Sequence, residues 1–299
     1  METPLVVGVD GSDASLTATD WAADEAVRLG LPLRIVHASR WEQYEGSVPA
    51  WSLNRPSGQV LAENIAATAA ERALRRAPGL KITTNVLAED AASALLREGR
   101  SAEAIVVGSR GRSELADLLL GSVGLIVAAR SDGPVIVVRG HRHALEARHG
   151  SILLGIGEYD VDSPAVRFAF REAALRQAEL GVVSSWRRPS HEPVAHPLLT
   201  GDASHHEEQQ ATVLLDKAVE AAALAHPEVP LRRTTVEGPA YKTLVARSTA
   251  ADLLVVGARR REGHLGMELG RVAHRALHHA ACPVAVVPQR HRAPTGGER

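Results

Sequence analysis

Aromatic side chains are nearly absent: phenylalanine, tyrosine and tryptophan together make up 3% of the chain. A protein so poor in flat rings offers no stacking platform for bases, and its cores must be built from Val, Leu, Ile and Ala. Charge of one sign is lacking too. The formal net charge is −1, which leaves no broad basic field for nucleic acid and no acidic tail. The single cysteine, Cys282, excludes an internal disulfide and points to a reducing compartment. It directly precedes Pro283 and reads as a packed small hydrophobe rather than a nucleophile. No apolar run is long enough to span a bilayer. The start, "METPLVVGVDGSD", carries no leader pattern. The expectation is a cytoplasmic protein without membrane or nucleic-acid partners.

What is present is a duplication. At an offset of 147 to 149 residues, "LVVGVDGSDAS" (5–15) lies over "ILLGIGEYDVDS" (152–163), and Trp21-Ala22 over Phe168-Ala169. "AEAIVVGSR" (102–110) lies over "ADLLVVGARR" (251–260), and "GPVIVV" (133–138) over "CPVAVV" (282–287). The period is far too long for a solenoid. The chain therefore divides into a domain over 1–140, a second over 150–288 and a charged tail, 289–299, that reads as disordered. The polar stretch between the copies, 139–150, reads as an exposed linker with room for a short helix.

Within copy one, short β-branched runs predict strands at 5–9, 33–38, 81–87, 103–108 and 134–138, with helices at 14–29, 58–76, 91–100 and 113–130. Copy two predicts strands near 151–156, 181–186, 231–236, 252–257 and 283–287, with helices at 164–179, 206–225, 239–249 and 265–280. The strands are almost continuously apolar, as when helices cover both faces of a sheet. Strand–helix alternation at this spacing means βαβ units, an α/β fold with parallel sheets. Two polar insertions, 40–57 and 187–205, follow the second strand of each copy. Trp41, Tyr44 and Trp51 crowd the first, as a lid, a partner surface or simple packing.

The stretch "GSRGRSELADLLLGS" (108–122) raises the functional question. Gly108 ends the fourth strand and Gly111 allows a tight turn. The following helix offers unpaired amides to an anion, and Gly121 and Ser122, followed by Val123, add a second close approach and a hydroxyl. Arg110 and Arg112 bring guanidinium groups suited to phosphate oxygens. Across the sheet, Asp10 in "GVDGS" is placed to accept from a ribose hydroxyl or a ring amine, or to help hold a metal at the phosphates. Ser12 and Ser15 are candidates for phosphate contact or for capping the first helix. Glycines at strand–helix turns also serve geometry alone. Neither a dinucleotide fingerprint nor a P-loop is present, and there is no "GxSxG" or "HExxH". His274 and His278, one helical turn apart, lack partners at structural-zinc spacing.

Three elements in order, "VGVDGS", the G-x2-G-x9-G-S series Gly108, Gly111, Gly121, Ser122, and "PVIVV" in the last strand, resemble the universal stress protein family, with two UspA-like domains in one chain. The resemblance implies two Rossmann-like, adenine-nucleotide-alpha-hydrolase-like five-stranded parallel sheets with helices on both faces. It implies ATP, with magnesium as an accompanying ion, in the N-terminal domain. Asp10 would lie near the adenosine, Val36, His37 and Ala38 at the adenine, and the glycine loop and Ser122 around the phosphates. The last strands, 134–138 and 283–287, would pair within the chain, as one-domain relatives pair between chains, and a further homodimer stays open.

Copy two departs from the pattern. Gly157 stands where copy one has Asp10, and the glycine series reads Gly257, Arg260, Gly270, Arg271, which predicts poor or no ATP binding. Copy one carries Glu89 where copy two has Gly238, an acid expected to weaken phosphate binding. No general base is positioned, so the expectation is a non-enzyme. Two functions follow: an ATP-binding stress or signalling protein whose occupancy biases conformation or the choice of an unidentified protein partner, or a scaffold that binds no nucleotide.

Overall fold

The computed structural model describes residues 3–40, 57–110, 121–157, 160, 162–187, 200–259 and 269–289. In the N-terminal half the chain runs β1 (Leu5–Gly8), α1 (Asp13–Leu29), β2 (Leu33–Ala38), α2 (Ser57–Arg76), β3 (Ile82–Leu87), α3 (Ala91–Gly99), β4 (Ala104–Gly108), α4 (Ser122–Arg130) and β5 (Val135–Val138). A short α5 (Arg142–Leu145) leads into β6 (Ser151–Ile156), α6 (Pro164–Arg176), β7 (Glu179–Trp186), α7 (Thr200–Ala225), β8 (Leu231–Glu237), α8 (Ala240–Arg247), β9 (Leu253–Arg259), α9 (Arg271–His279) and β10 (Val284–Gln289). Each half is a parallel α/β sheet, as the alternation predicts. The helix expected from 113 begins, among the described residues, only at Ser122. Likewise α9 begins, among the described residues, at Arg271, with 265–268 outside them.

Strand order is β3-β2-β1-β4-β5-β10-β9-β6-β7-β8. Every pairing is parallel except β5 with β10, where Val137 faces Val284 and Val135 faces Val286 in antiparallel register. Both sheet faces are covered. Leu5 and Val7 of β1 pack with Ala18, Trp21 and Ala22 of α1, whereas Val6 turns to the opposite layer with Leu95 of α3 and Val127 of α4. Each Val, Leu or Ile so buried contributes ~1.5–3 kcal/mol, against ~1 kcal/mol for a helix cap. The two apolar layers therefore decide the fold and the caps trim it. The stretch read as an exposed linker with room for a short helix is largely exposed and forms α5, but it is anchored at two points: Ala144 is buried and the His141 amide donates to the Ala281 carbonyl at 3.0 Å. Among the described residues, no helix is long and apolar enough to cross a membrane.

The first helices of the two halves meet through charge. Arg176 of α6 donates to Glu25 of α1 at 2.5 Å and to Glu172 of its own helix at 3.2 Å, with all three side chains at most 5% exposed. Arg28 also contacts Glu25, and the Arg176 guanidinium lies 5.5 Å from the Trp21 ring centre. Burial, reinforced by the neighbouring Glu25 charge, pushes the Glu172 carboxyl up to about 8. Glu25 lies below the usual carboxylate range, because Arg176, the hydrogen bond with Glu172 and Arg28 outweigh its burial. The two acids thus divide the labour: Glu172 keeps its proton and Glu25 carries the charge.

The folded state holds the Glu172 proton over a range in which the unfolded chain has released it. Its contribution is therefore full below pH ~4.5, falls as pH rises, and levels off above about 8. Glu25 acts in the other direction and only below its ordinary value. The variant Glu172→Gln, neutral at every pH, is expected to match the unmodified protein in thermal stability near pH 5 and to exceed it increasingly toward pH 9. Melting curves across that range check this, and parallel pH dependences would contradict it.

Candidate functional site

In the order β3-β2-β1-β4-β5 the connections leave β1 to one side toward β2 and return on the other at β4. The carboxyl ends of β1 and β4 therefore diverge into a crevice, the usual ligand position in open α/β sheets. A cavity of 160 Å³ lies there. Asp10 beyond β1, Val36 and Ala38 of β2, and Gly108 and Arg110 at the end of β4 all line it. So do Gly121, Ser122 and Val123 at the start of α4. Nine of the eleven residues put forward from the sequence are placed by the structure. Ser12 does not line the cavity, and Gly111 and Arg112 lie outside the described residues, as do Trp41, Tyr44, Trp51 and Arg260.

Local chemistry explains how these residues are held. The Asp10 carboxylate accepts from the Ser12 amide at 3.0 Å and from its hydroxyl at 2.6 Å, an Asx turn. Gly11 takes φ 81° inside that turn, a region costly for a side chain. Ser12, not Ser15, caps α1, accepting from the Ser15 amide at 3.2 Å. The Ser15 hydroxyl turns back to the Ser12 carbonyl at 2.8 Å. His37, buried on the strand face opposite Val36 and Ala38, donates from Nδ1 to the Val9 carbonyl at 2.8 Å and ties β2 to the end of β1.

The glycine-rich stretch answers to two separate demands. A Cβ on Gly108 would stand 2.7 Å from the Ala14 carbonyl oxygen in the first turn of α1, so this glycine is required by backbone packing. The Gly121 amide donates to the Ser109 carbonyl at 2.9 Å, which brings the two ends of the intervening segment together beside the cavity. Gly121 then serves as the N-cap of α4 without a side-chain cap. First-turn amides of α4 are left without that side-chain acceptor, and together with Arg110 they form a donor set suited to an anion. Glu89, expected to oppose phosphate, pairs with Arg97 at 2.5 Å and is not among the cavity's lining residues, while Asp90 caps α3 through the Ser93 amide at 3.0 Å.

The C-terminal half has a cavity in the corresponding place, of 1170 Å³. The connection from β6 to α6 is longer than its counterpart, and its Asp160, which the sequence reading passed over, does the closing. Asp160 accepts from the Gly157 amide at 2.7 Å and pairs with Arg259 at 3.3 Å. The acid and the arginine that face the ligand position in copy one thus have counterparts that neutralise each other in copy two. The only advance signal was the extra acid in "YDVDS". Cys282 is fully buried and burial pushes its thiol up to about 12, the behaviour of a packed hydrophobe.

The universal stress protein family model matches residues 1–139 and again 149–288. A universal stress protein of Mycobacterium tuberculosis strain CDC 1551 is 40% identical over 289 residues, covering 94% of this chain and 95% of its own. Another, from strain H37Rv, is 32% identical over 293 residues, covering 95% and 97%. The crystal structure of a universal stress protein from Archaeoglobus fulgidus superposes with a TM-score of 0.65 over 95% of this chain and 98% of that one, at 15% identity, a likeness of fold.

The contrast between Gly108 and its counterpart Gly257 is testable. A Cβ at Gly257 would meet the end of the Gln289 side chain, which can swing away. Gly108→Ala is expected to lower stability by ~1–3 kcal/mol and Gly257→Ala by about 0.5 kcal/mol or less, as read by urea denaturation. Equal losses would show that Gly108 is not pinned by α1.

Proposed function

Given that the chain belongs to the universal stress protein family, we propose that it binds one ATP, in the cleft between β1 and β4, and that occupancy biases its conformation or its choice of protein partner in a stress response. The observation that supports this most is the convergence on one cleft of Asp10, Val36, Ala38, Arg110 and the uncapped start of α4 at Gly121 and Ser122. These residues supply the chemistry an adenine nucleotide asks for: an acceptor for a hydroxyl or amine, an apolar wall for a ring, and amides with a guanidinium for phosphates. Asp10 is the acid nearest to hand for a magnesium ion travelling with the phosphates. The proposal is binding rather than catalysis: among the described residues the one carboxylate lining the cleft, Asp10, is engaged by the Ser12 amide and hydroxyl. In the C-terminal cleft the Asp160–Arg259 pair and Arg271 in place of a serine argue against the same ligand.

A second reading, a scaffold without nucleotide, draws on the size of the N-terminal cavity, 160 Å³, below the ~300–1,000 Å³ of most small-molecule pockets.

Calorimetric titration of ATP into nucleotide-stripped protein is expected to give a stoichiometry near one per chain. Ser122→Asp is the sharper probe. An acid at the first position of a helix is favourable for folding yet sets a carboxylate against the phosphates, so binding is expected to be lost in a protein of unchanged melting temperature. Undiminished binding by that variant would remove the phosphates from α4, and two ATP per chain would bring the C-terminal cleft back as a nucleotide site.

A further inference from the structure

The two helices that follow the glycine stretches occupy the same place in the two halves and differ in one respect. In α4 one face reads Ser122, Leu125, Ile126 and Ala129, of which only Ser122 is exposed, whereas in α9 the same positions read the exposed Arg271, His274 and Arg275 and the buried His278. Apart from His278, the positions that pack inward are small or apolar in both: Gly124, Val127 and Ala128 in one, Ala273, Ala276 and Leu277 in the other. The exchange is thus confined to one face, at i, i+3, i+4 and i+7, and that face lines the 1170 Å³ cavity. His279 joins it at the far end and Arg259 faces it from β9.

Three features separate this stripe from an ordinary solvated face. First, Arg271 stands at the first position of a helix capped by Gly270 without a side-chain bond, where a cation opposes the helix dipole. Second, Asp160 is the one carboxylate among the described lining residues and it is engaged by Arg259. Third, the positive charge is continued from the other half. Arg139, just beyond β5, donates to the Leu277 carbonyl at the end of α9, and burial followed by the proximity of Arg110 holds its affinity for a proton below the usual arginine range. His278 is depressed by burial and then by His274, His279, Arg139 and Arg275. Cations held this close in a cavity raise each other's energy, and an anion relieves it.

From the cavity and its one-sided lining we infer that the C-terminal cleft binds a linear inorganic polyphosphate, laid along α9 from Arg271 toward His278. The charge is spread along the whole helix, nine residues or about 13 Å, not gathered at its amino end as a nucleotide's phosphates would require. Among the described lining residues there is no Trp, Phe or Tyr to stack a base, and the nearby Tyr241 ring is covered by the Arg275 guanidinium at 5.7 Å. The acceptor that Asp10 supplies in the other half is here turned onto the Gly157 amide. Binding strengthens as the pH falls, because protonation of His278, held below the usual imidazole range by burial and by the cations around it, adds charge to the cleft. The charged and titratable groups acting on His278 are His274, His279 and Arg275 on its own helix and Arg139 from just beyond β5. This inference concerns a different cleft from the ATP proposal and stands or falls separately.

The test is calorimetry of the full chain with short-chain sodium polyphosphate at pH 6 and pH 8, beside ATP and a single-stranded oligonucleotide. Polyphosphate is expected to bind at least about tenfold more tightly at pH 6 than at pH 8. Restoring the copy-one residues, Arg271→Ser with His274→Leu and Arg275→Ile, is expected to weaken it about a hundredfold while ATP stoichiometry stays near one. Arg275→Gln alone, a substitution on the exposed face, is expected to cost about tenfold with the melting temperature unchanged, which guards against a misfolded triple variant. Polyphosphate binding that survives the triple variant, that is abolished instead by Ser122→Asp, or that is exceeded by the oligonucleotide overturns the inference.

Discussion

A parallel sheet of five strands has an edge that its own connections do not close, and in this chain two such edges, β5 and β10, close on each other. Edges of this kind otherwise template association with further chains. Antiparallel pairing of the last strands merges two sheets into one of ten strands and fixes which surfaces the halves share. It brings Arg139 of one half to the end of α9 in the other. It also sets α1 against α6, where the buried acids meet. The relation between the clefts is thus a consequence of how the edges were satisfied.

That second contact carries a cost that apolar residues would avoid. Burying Glu25, Glu172 and Arg176 together exacts desolvation of three ionisable groups, and such a cluster seldom adds net stability over well-packed hydrophobes. Glu25 and Glu172 are counterparts under the duplication, brought face to face by the near-symmetry of the two halves. Two like charges so placed oppose each other: burial and the Glu25 charge push Glu172 up toward its protonated form, while Arg176 and Arg28 gather around Glu25. The duplicated halves are therefore electrostatically unequal at their junction, although their folds agree.

Much of the architecture was legible because it rests on local signals. Continuous apolar runs marked the strands, and the repeat of "LVVGVDGSDAS" in "ILLGIGEYDVDS" marked the second copy. The cleft residues Asp10, Gly108 and Ser122 were legible through spacing along the chain. What escaped depends on contacts between distant segments. The need for Gly108 lies in α1, at Ala14. The charge of Glu89 is met by Arg97, two turns into the helix that follows, and Asp160 is significant only because Arg259 reaches it from across the cleft. The choice of Ser12 over Ser15 as cap was a matter of one turn of geometry. His274 and His278 were noticed as a weak metal motif, and the stripe they belong to emerged only when α9 was set against α4.

The comparison of those two helices also explains why one cleft was free to change. A helix on a sheet needs a narrow inward stripe, and in α9 Ala273, Ala276 and Leu277 supply it. The face bearing Arg271, His274 and Arg275 does no packing of that kind, so charge there leaves the core intact. In copy one the equivalent freedom is curtailed. Gly108 is wedged against the backbone of α1, Asp10 is locked into the turn that Ser12 caps, and Gly121 is tied to Ser109. Changes there strain the scaffold itself, whereas in copy two Gly257 meets only the movable end of Gln289. A duplicated fold whose copies are so unequally constrained would keep an ancestral cleft where backbone packing enforces it, and acquire new chemistry where only side chains stand in the way.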